Sequence, residues 1–183
     1  MTPERFETSK AEYLDNIKAF ANTNNGLKPM LTIIADIKNP TPDQESKSAI
    51  VHISIPGDIM NSENGKEYFI QAMLPNIAKE IKEKFTAVAI GWACEAWMRK
   101  SEEGVTEIPD NWKELPKEEI VICTIESSEE TNSYLYNIKR TKVPSVNFVG
   151  ELVDQSVELE LIKTDDAAKI SGRFSNLLKI FQD

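Results

Sequence analysis

The spacing of apolar residues switches repeatedly along this chain between a helical and a strand period, and that alternation restricts the fold more than any other feature. From residue 3 to 23, Phe6, Tyr13, Leu14, Ile17, Phe20 and Ala21 recur at three- and four-residue spacing, which predicts an amphipathic helix. Pro3 suits its first turn, and Asn22-Thr23-Asn24-Asn25-Gly26 ends it. Residues 29–38 and 49–55 are β-branched runs separated by NPTPDQESKS, so they read as a hairpin with a long exposed loop. A helical period returns with Phe69, Met73, Ile77, Ile81 and Phe85, predicting a helix to about residue 84. Asn64 and Glu67 are placed as its capping box, and Pro75 predicts a kink or a restart. Residues 86–100 then alternate large and small side chains as a strand, and 118–127 and 132–141 are the next two, turned back on each other at SSEE. Within 143–163, VNFV and VELELIK both alternate about Gly150. One extends the sheet and the other is an irregular return. A helix from about 165, capped by Thr164 or Asp165 and carrying Ile170, Phe174, Leu177, Leu178 and Phe181 on its stripe, closes the chain.

Two hairpin-like blocks around a central helix predict an α+β fold, a mostly antiparallel sheet of about five strands with helices packed on it. The 183 residues suit one domain spanning 1–183, and 40% apolar residues suffice for its core. The order helix, two strands, helix, three strands, helix resembles the profilin-like and roadblock-type layout. That resemblance implies a five-stranded sheet in the order 2-1-5-4-3 with helices on its faces. The PAS and GAF sensor domains share its strand-strand-helix-strand-strand-strand kernel.

The formal net charge of -9 argues against nucleic acid or an anionic membrane as the main partner, because phosphate contacts need clustered Lys and Arg. Lys139-Arg140-Thr141-Lys142 is too short a basic patch to reverse this. No stretch approaches the roughly 18–20 apolar residues of a membrane span, and the N-terminus carries no apolar signal core, so a cytoplasmic location is expected. Cys94 and Cys123 lie in apolar runs, and His52 is the only histidine, so a Cys/His zinc site lacks ligands. The thiols are expected to be reduced and unreactive. There is no glycine-rich phosphate loop, and the acidic dyads Glu102-Glu103 and Asp165-Asp166 have no further ligands beside them. No cofactor or metal is expected.

A few residues look out of place for scaffolding alone. Pairing strand 86–100 with 118–127 so that Cys94 meets Cys123 collects Glu95, Trp97 and Glu126 on one face with Ala87, Ala89, Gly91 and Ala93. Small residues admit a helix closely, and an ionised Glu95 beneath it needs a partner. Arg99 is about 13 Å along the strand, so Arg140 from a neighbouring strand end is the better candidate. The functional reading is a small acidic pocket walled by Trp97. The plainer one is a structural ion pair. His52 is a candidate acid–base group if Asp36 is near. The long connection 100–117 carries Trp112, a candidate anchor for a partner, rimmed by Glu102, Glu103, Glu107 and Glu114.

The run Gly91-Trp92-Ala93-Cys94-Glu95-Ala96-Trp97, then Glu118-Glu119-Ile120-Val121-Ile122 ending at Glu126, then Ile138-Lys139-Arg140, is similar to a pattern in small uncharacterised bacterial and phage proteins. The similarity spans roughly residues 86–141 and implies no role for any residue. The leading expectation is a non-enzymatic protein-interaction or accessory and structural protein, phage or mobile-element encoded, with a protein partner that is another copy or a different chain. The alternatives are a small-molecule sensor of PAS- or GAF-like layout, and a hydrolase or isomerase that splits acid and base roles between Glu95 and Glu126.

Overall fold

The computed structural model describes residues 3–23, 26–42, 47–99, 110–141, 145–146, 152–153, 156–162 and 177–182. Helix α1 (Pro3–Thr23) leads into a hairpin of β1 (Met30–Ile37) and β2 (Ser48–Ser54). A helical crossover follows, made of α2 (Gly57–Met60), α3 (Glu63–Tyr68), a π-helical turn (Phe69–Met73) and α4 (Leu74–Lys84). The long strands β3 (Phe85–Arg99), β4 (Lys117–Ser127) and β5 (Thr131–Thr141) come next. A two-residue pair, β6 (Ser145–Val146) and β7 (Leu152–Val153), then β8 (Ser156–Leu161) and α5 (Leu177–Gln182), complete the described elements. VELELIK is thus the segment that extends the sheet. Thr164, Asp165, Ile170 and Phe174 lie outside the described residues.

Local chemistry accounts for the ends of these elements. Ser62, not Asn64, caps α3, its hydroxyl accepting the Gly65 N–H at 3.0 Å. A cap receives the donor three residues on, and the helix begins one residue before Asn64. Pro75 sits where the π-helical turn passes directly into α4, so the expected kink or restart takes the form of a wider turn just before a residue that has no N–H to donate. The Ser127 N–H donates to the Glu130 carbonyl at 2.8 Å and closes the β4–β5 hairpin.

The main sheet is antiparallel throughout, in the order β2-β1-β3-β4-β5-β8. This corrects the 2-1-5-4-3 order that the profilin-like resemblance implies. After the crossover, β3 takes the free side of β1, and each later strand turns back along the outer side of its predecessor. No strand can then return to β1.

Helix α1 meets both ends of this strand order. Its Asn16 contacts His52 on the edge strand β2, and its apolar stripe shares a core with Val157 and Leu159 on the opposite edge β8. One helix can reach both edges only if the sheet curls around it. In that trough lie Phe6, Tyr13, Ile17 and Ala21 of α1 against Ile34, Ala89, Ala93, Val121, Cys123 and Tyr136. Gly91 makes the closest approach. A Cβ there would stand 2.5 Å from Tyr13 Cε2, so no other residue fits without displacing the ring. The opposite face carries the second core, where Leu31, Ile33, Phe69, Leu74, Trp92, Leu177 and Phe181 join the sheet to α4 and α5. Each such side chain stabilises the fold by about 1.5–3 kcal/mol when fully buried.

Candidate functional site

The register of β3 and β4 decides which side chains share a face. Ala93 stands opposite Cys123, Cys94 opposite Ile122, Glu95 opposite Val121 and Ile90 opposite Glu126. The Cys94–Cys123 pairing expected from sequence is therefore corrected by one residue. A slip of one sends a whole strand's side chains to the other face. The packing explains the choice: Ala89, Gly91 and Ala93 must lie under Tyr13, which leaves Trp92 and Cys94 to face α4. Glu95 consequently lies on the α1 face. Glu126 lies on the other face, about 17 Å away along the strands. The acidic pocket holding both does not form.

Glu95 instead belongs to a polar cluster. Its Oε1 accepts the backbone N–H of Leu27 at 2.6 Å. It presses on Gly26, whose φ of +141° is glycine territory and whose missing Cβ would stand 2.5 Å from the same oxygen. Arg140, arriving from β5 as expected, lies 3.6 Å from Glu95 Oε2 and donates two bonds of 2.8 Å to Glu119. The guanidinium bonds hold the Glu119 carboxyl below its ordinary pKa, and the same bonds raise that of Arg140. The arrangement matches the structural ion pair. Glu119 was not singled out from sequence. Only the register reveals it, because Trp97 stands directly across from it.

Trp97 does not wall a pocket. It is 65% exposed. Trp112, 45% exposed, stands at the same end of the hairpin, with the Arg99 guanidinium 5.6 Å and the Lys113 ammonium 5.9 Å from its ring. Arg99 also donates to the carbonyls of Leu115, at 2.6 Å, and Lys113, tying the turn to the end of β3. Trp112 is thus contacted by two cations and still half exposed. Glu114 beside it is exposed, while Glu102, Glu103 and Glu107 lie outside the described residues.

His52 has no Asp36 beside it. Asp36 pairs opposite Ser48, four residues from the Thr32–His52 pair, and is bound by Arg5. His52 contacts Thr32 Oγ1 at 2.9 Å through Nδ1 and Asn16 Nδ2 at 3.3 Å through Nε2, with Phe20 edge-on at 5.1 Å. Burial lowers its pKa, and Glu12 offsets this in part. Burial also raises the pKa of both free thiols, Cys123 fully enclosed and Cys94 half-buried. Among the described residues no group of three His, Cys, Asp or Glu is placed to hold a metal ion, and no helix is long and apolar enough to cross a membrane. Phe69, Leu74, Ala78 and Trp92 pack together between the sheet and α4.

Comparison of the chain with protein-family models, with curated proteins and with solved structures gives no match.

Proposed function

We propose that this chain is a non-enzymatic interaction protein that docks a basic segment of a partner protein on the loop end of the β3–β4 hairpin. The observation that carries the reading is Trp97, a tryptophan 65% exposed on a regular strand, with Trp112 exposed at the same end. Buried tryptophans anchor many interfaces, and an exposed one on a rigid element loses little entropy on docking. The surroundings select the partner's charge. The whole chain carries -9, and Glu114 stands exposed two residues from Trp112, while Glu119 opposite Trp97 is already held by Arg140. A Lys or Arg side chain of the partner fits the face of the Trp97 ring and the exposed Glu114 carboxylate. An accessory or structural component of a larger assembly works through a surface of this kind. The carboxylate enzyme gains no support from the register, since Glu95 and Glu126 face opposite sides.

A photo-cross-linking residue placed at position 97 tests the reading. The same residue at Tyr68, 59% exposed on α3, is the control. In native lysate, position 97 should form a protein adduct that position 68 does not, through a partner peptide containing Lys or Arg. No adduct, or the same adducts from both positions, would contradict the reading.

A further inference from the structure

Helix α1 passes over the β1–β2 hairpin without closing on it. A groove of about 400 Å³ runs between them, lined from the helix by Ser9, Glu12, Asn16 and Phe20 and from the hairpin by Ile50 and His52, among others. That volume is at the small end of ligand sites, which run from about 300 to 1,000 Å³. The two sides differ in chemistry. Phe20 and Ile50 form an apolar floor that packs on the α1 core, while Ser9, Asn16 and Glu12 bring a hydroxyl, an amide and a carboxylate.

Charge narrows the choice of ligand. On the same helix, Lys10 pairs with Glu7 and Lys18 pairs with Asp15 at 3.6 Å. Glu12 takes part in no ion pair among the described residues. It is the carboxylate that the groove presents. His52 does not oppose a cation there. Asn16 donates to Nε2, so the Nδ1–H donates to Thr32, and burial keeps the ring neutral. An anion would meet Glu12 unpaired, and a sugar-like polyol would leave the apolar floor unmatched.

We infer that the groove between α1 and the β1–β2 hairpin binds a small organic cation, a primary ammonium on a short apolar body. Its ammonium sits at Glu12 and its body lies on Phe20 and Ile50. His52 is a positioning residue: held by Thr32 and Asn16, it forms a neutral wall beside the charge. This site shares no residue with the Trp97 surface and stands or falls separately from it.

Two probes of one shape test it, phenethylamine and the uncharged 2-phenylethanol. Each is titrated into the full chain while the backbone amide resonances of residues 9–20 and 48–52 are followed. Phenethylamine should shift these resonances saturably and bind about two- to fivefold more tightly than the alcohol, the size of effect expected of one charge pair to an exposed carboxylate. Glu12→Gln should remove that advantage and leave alcohol binding unchanged. Glu12 is exposed, so this variant should fold; the comparison of the two probes on the unaltered chain stands without it. No saturable shift up to about 10 mM, shifts confined to other residues, equal affinity for the two probes, or an advantage that survives Glu12→Gln would each overturn the assignment.

Discussion

The two faces of the sheet are built on different terms. The face under α4 and α5 has an apolar core, with Leu31, Ile33, Phe69, Leu74, Trp92 and Leu177 filling it and Thr124 and Glu126 at one side. The face under α1 has an apolar centre, but Thr32 is buried there, and the Tyr13 hydroxyl is buried without a hydrogen-bond partner among the described residues. Toward its margins it carries His52 and the Glu95–Arg140–Glu119 cluster. The first face answers only to volume and area. The second also answers to polar contacts, and both surfaces assigned a role here open from it. Substitutions on the α4 face should therefore change stability alone, whereas those at the margins of the α1 face should separate stability from binding.

Phe69→Ala offers the largest effect. The ring is fully buried beside Trp92, so its loss should cost about 3–5 kcal/mol in denaturant unfolding without altering either surface. A cost below about 1 kcal/mol would show that the α4 face is not the volume-determined half.

Gly91→Ala and Tyr13→Phe sharpen the comparison from the other side. The added methyl group at 91 meets the Tyr13 ring and should destabilise by about 1–3 kcal/mol. Removing the Tyr13 hydroxyl deletes a buried, unpartnered group and should stabilise by about 1 kcal/mol, since an unpaired buried polar atom costs roughly 1–3. Loss of stability in Tyr13→Phe would mean that the hydroxyl has a partner.

A smaller effect concerns pH. Burial lowers the folded pKa of His52 below its ordinary 6.5, so the unfolded chain takes up the proton first. The histidine's contribution is intact above about pH 6.5 and is lost as pH falls through the folded pKa. Glu119, with its carboxyl pKa lowered, acts the same way only below about pH 4.5 and leaves this window clear. Unfolding midpoints at pH 7.5 and 5.5 should therefore fall less in His52→Gln than in the parent. Equal falls would place His52 in open solvent.

Much of the fold was legible in the sequence, because helix and strand periods differ and most boundaries carry Pro, Gly or a hairpin turn. The α1 stripe, the β1–β2 hairpin and the three long strands lie within a residue or so of where periodicity puts them. The small residues Ala89, Gly91 and Ala93 foretold the close helix above them. Arg140 as the neighbour of Glu95 was also legible, from charge demand and strand length. Register was not. Cys94 opposite Cys123 and Cys94 opposite Ile122 satisfy alternation equally well, and only the fit of Tyr13 over Gly91 separates them. That one-residue difference removed Glu126 from the site and brought in Glu119. The strand order was hidden for a related reason: local sequence says where strands turn but not on which side of β1 the chain returns. The groove at Glu12 and His52 joins residues 36–40 positions apart, and no local pattern announces it.

Trp97→Ala tests the central claim most directly, that the margin of the α1 face serves binding and not stability. Two quantities are measured on the same protein, the unfolding free energy and the affinity for the partner captured through position 97. An exposed side chain away from the core should change stability by no more than about 0.5 kcal/mol, while the loss of an anchoring tryptophan should weaken binding by about 2 kcal/mol or more. A stability loss of that size with binding unchanged would make Trp97 part of the scaffold and contradict the account.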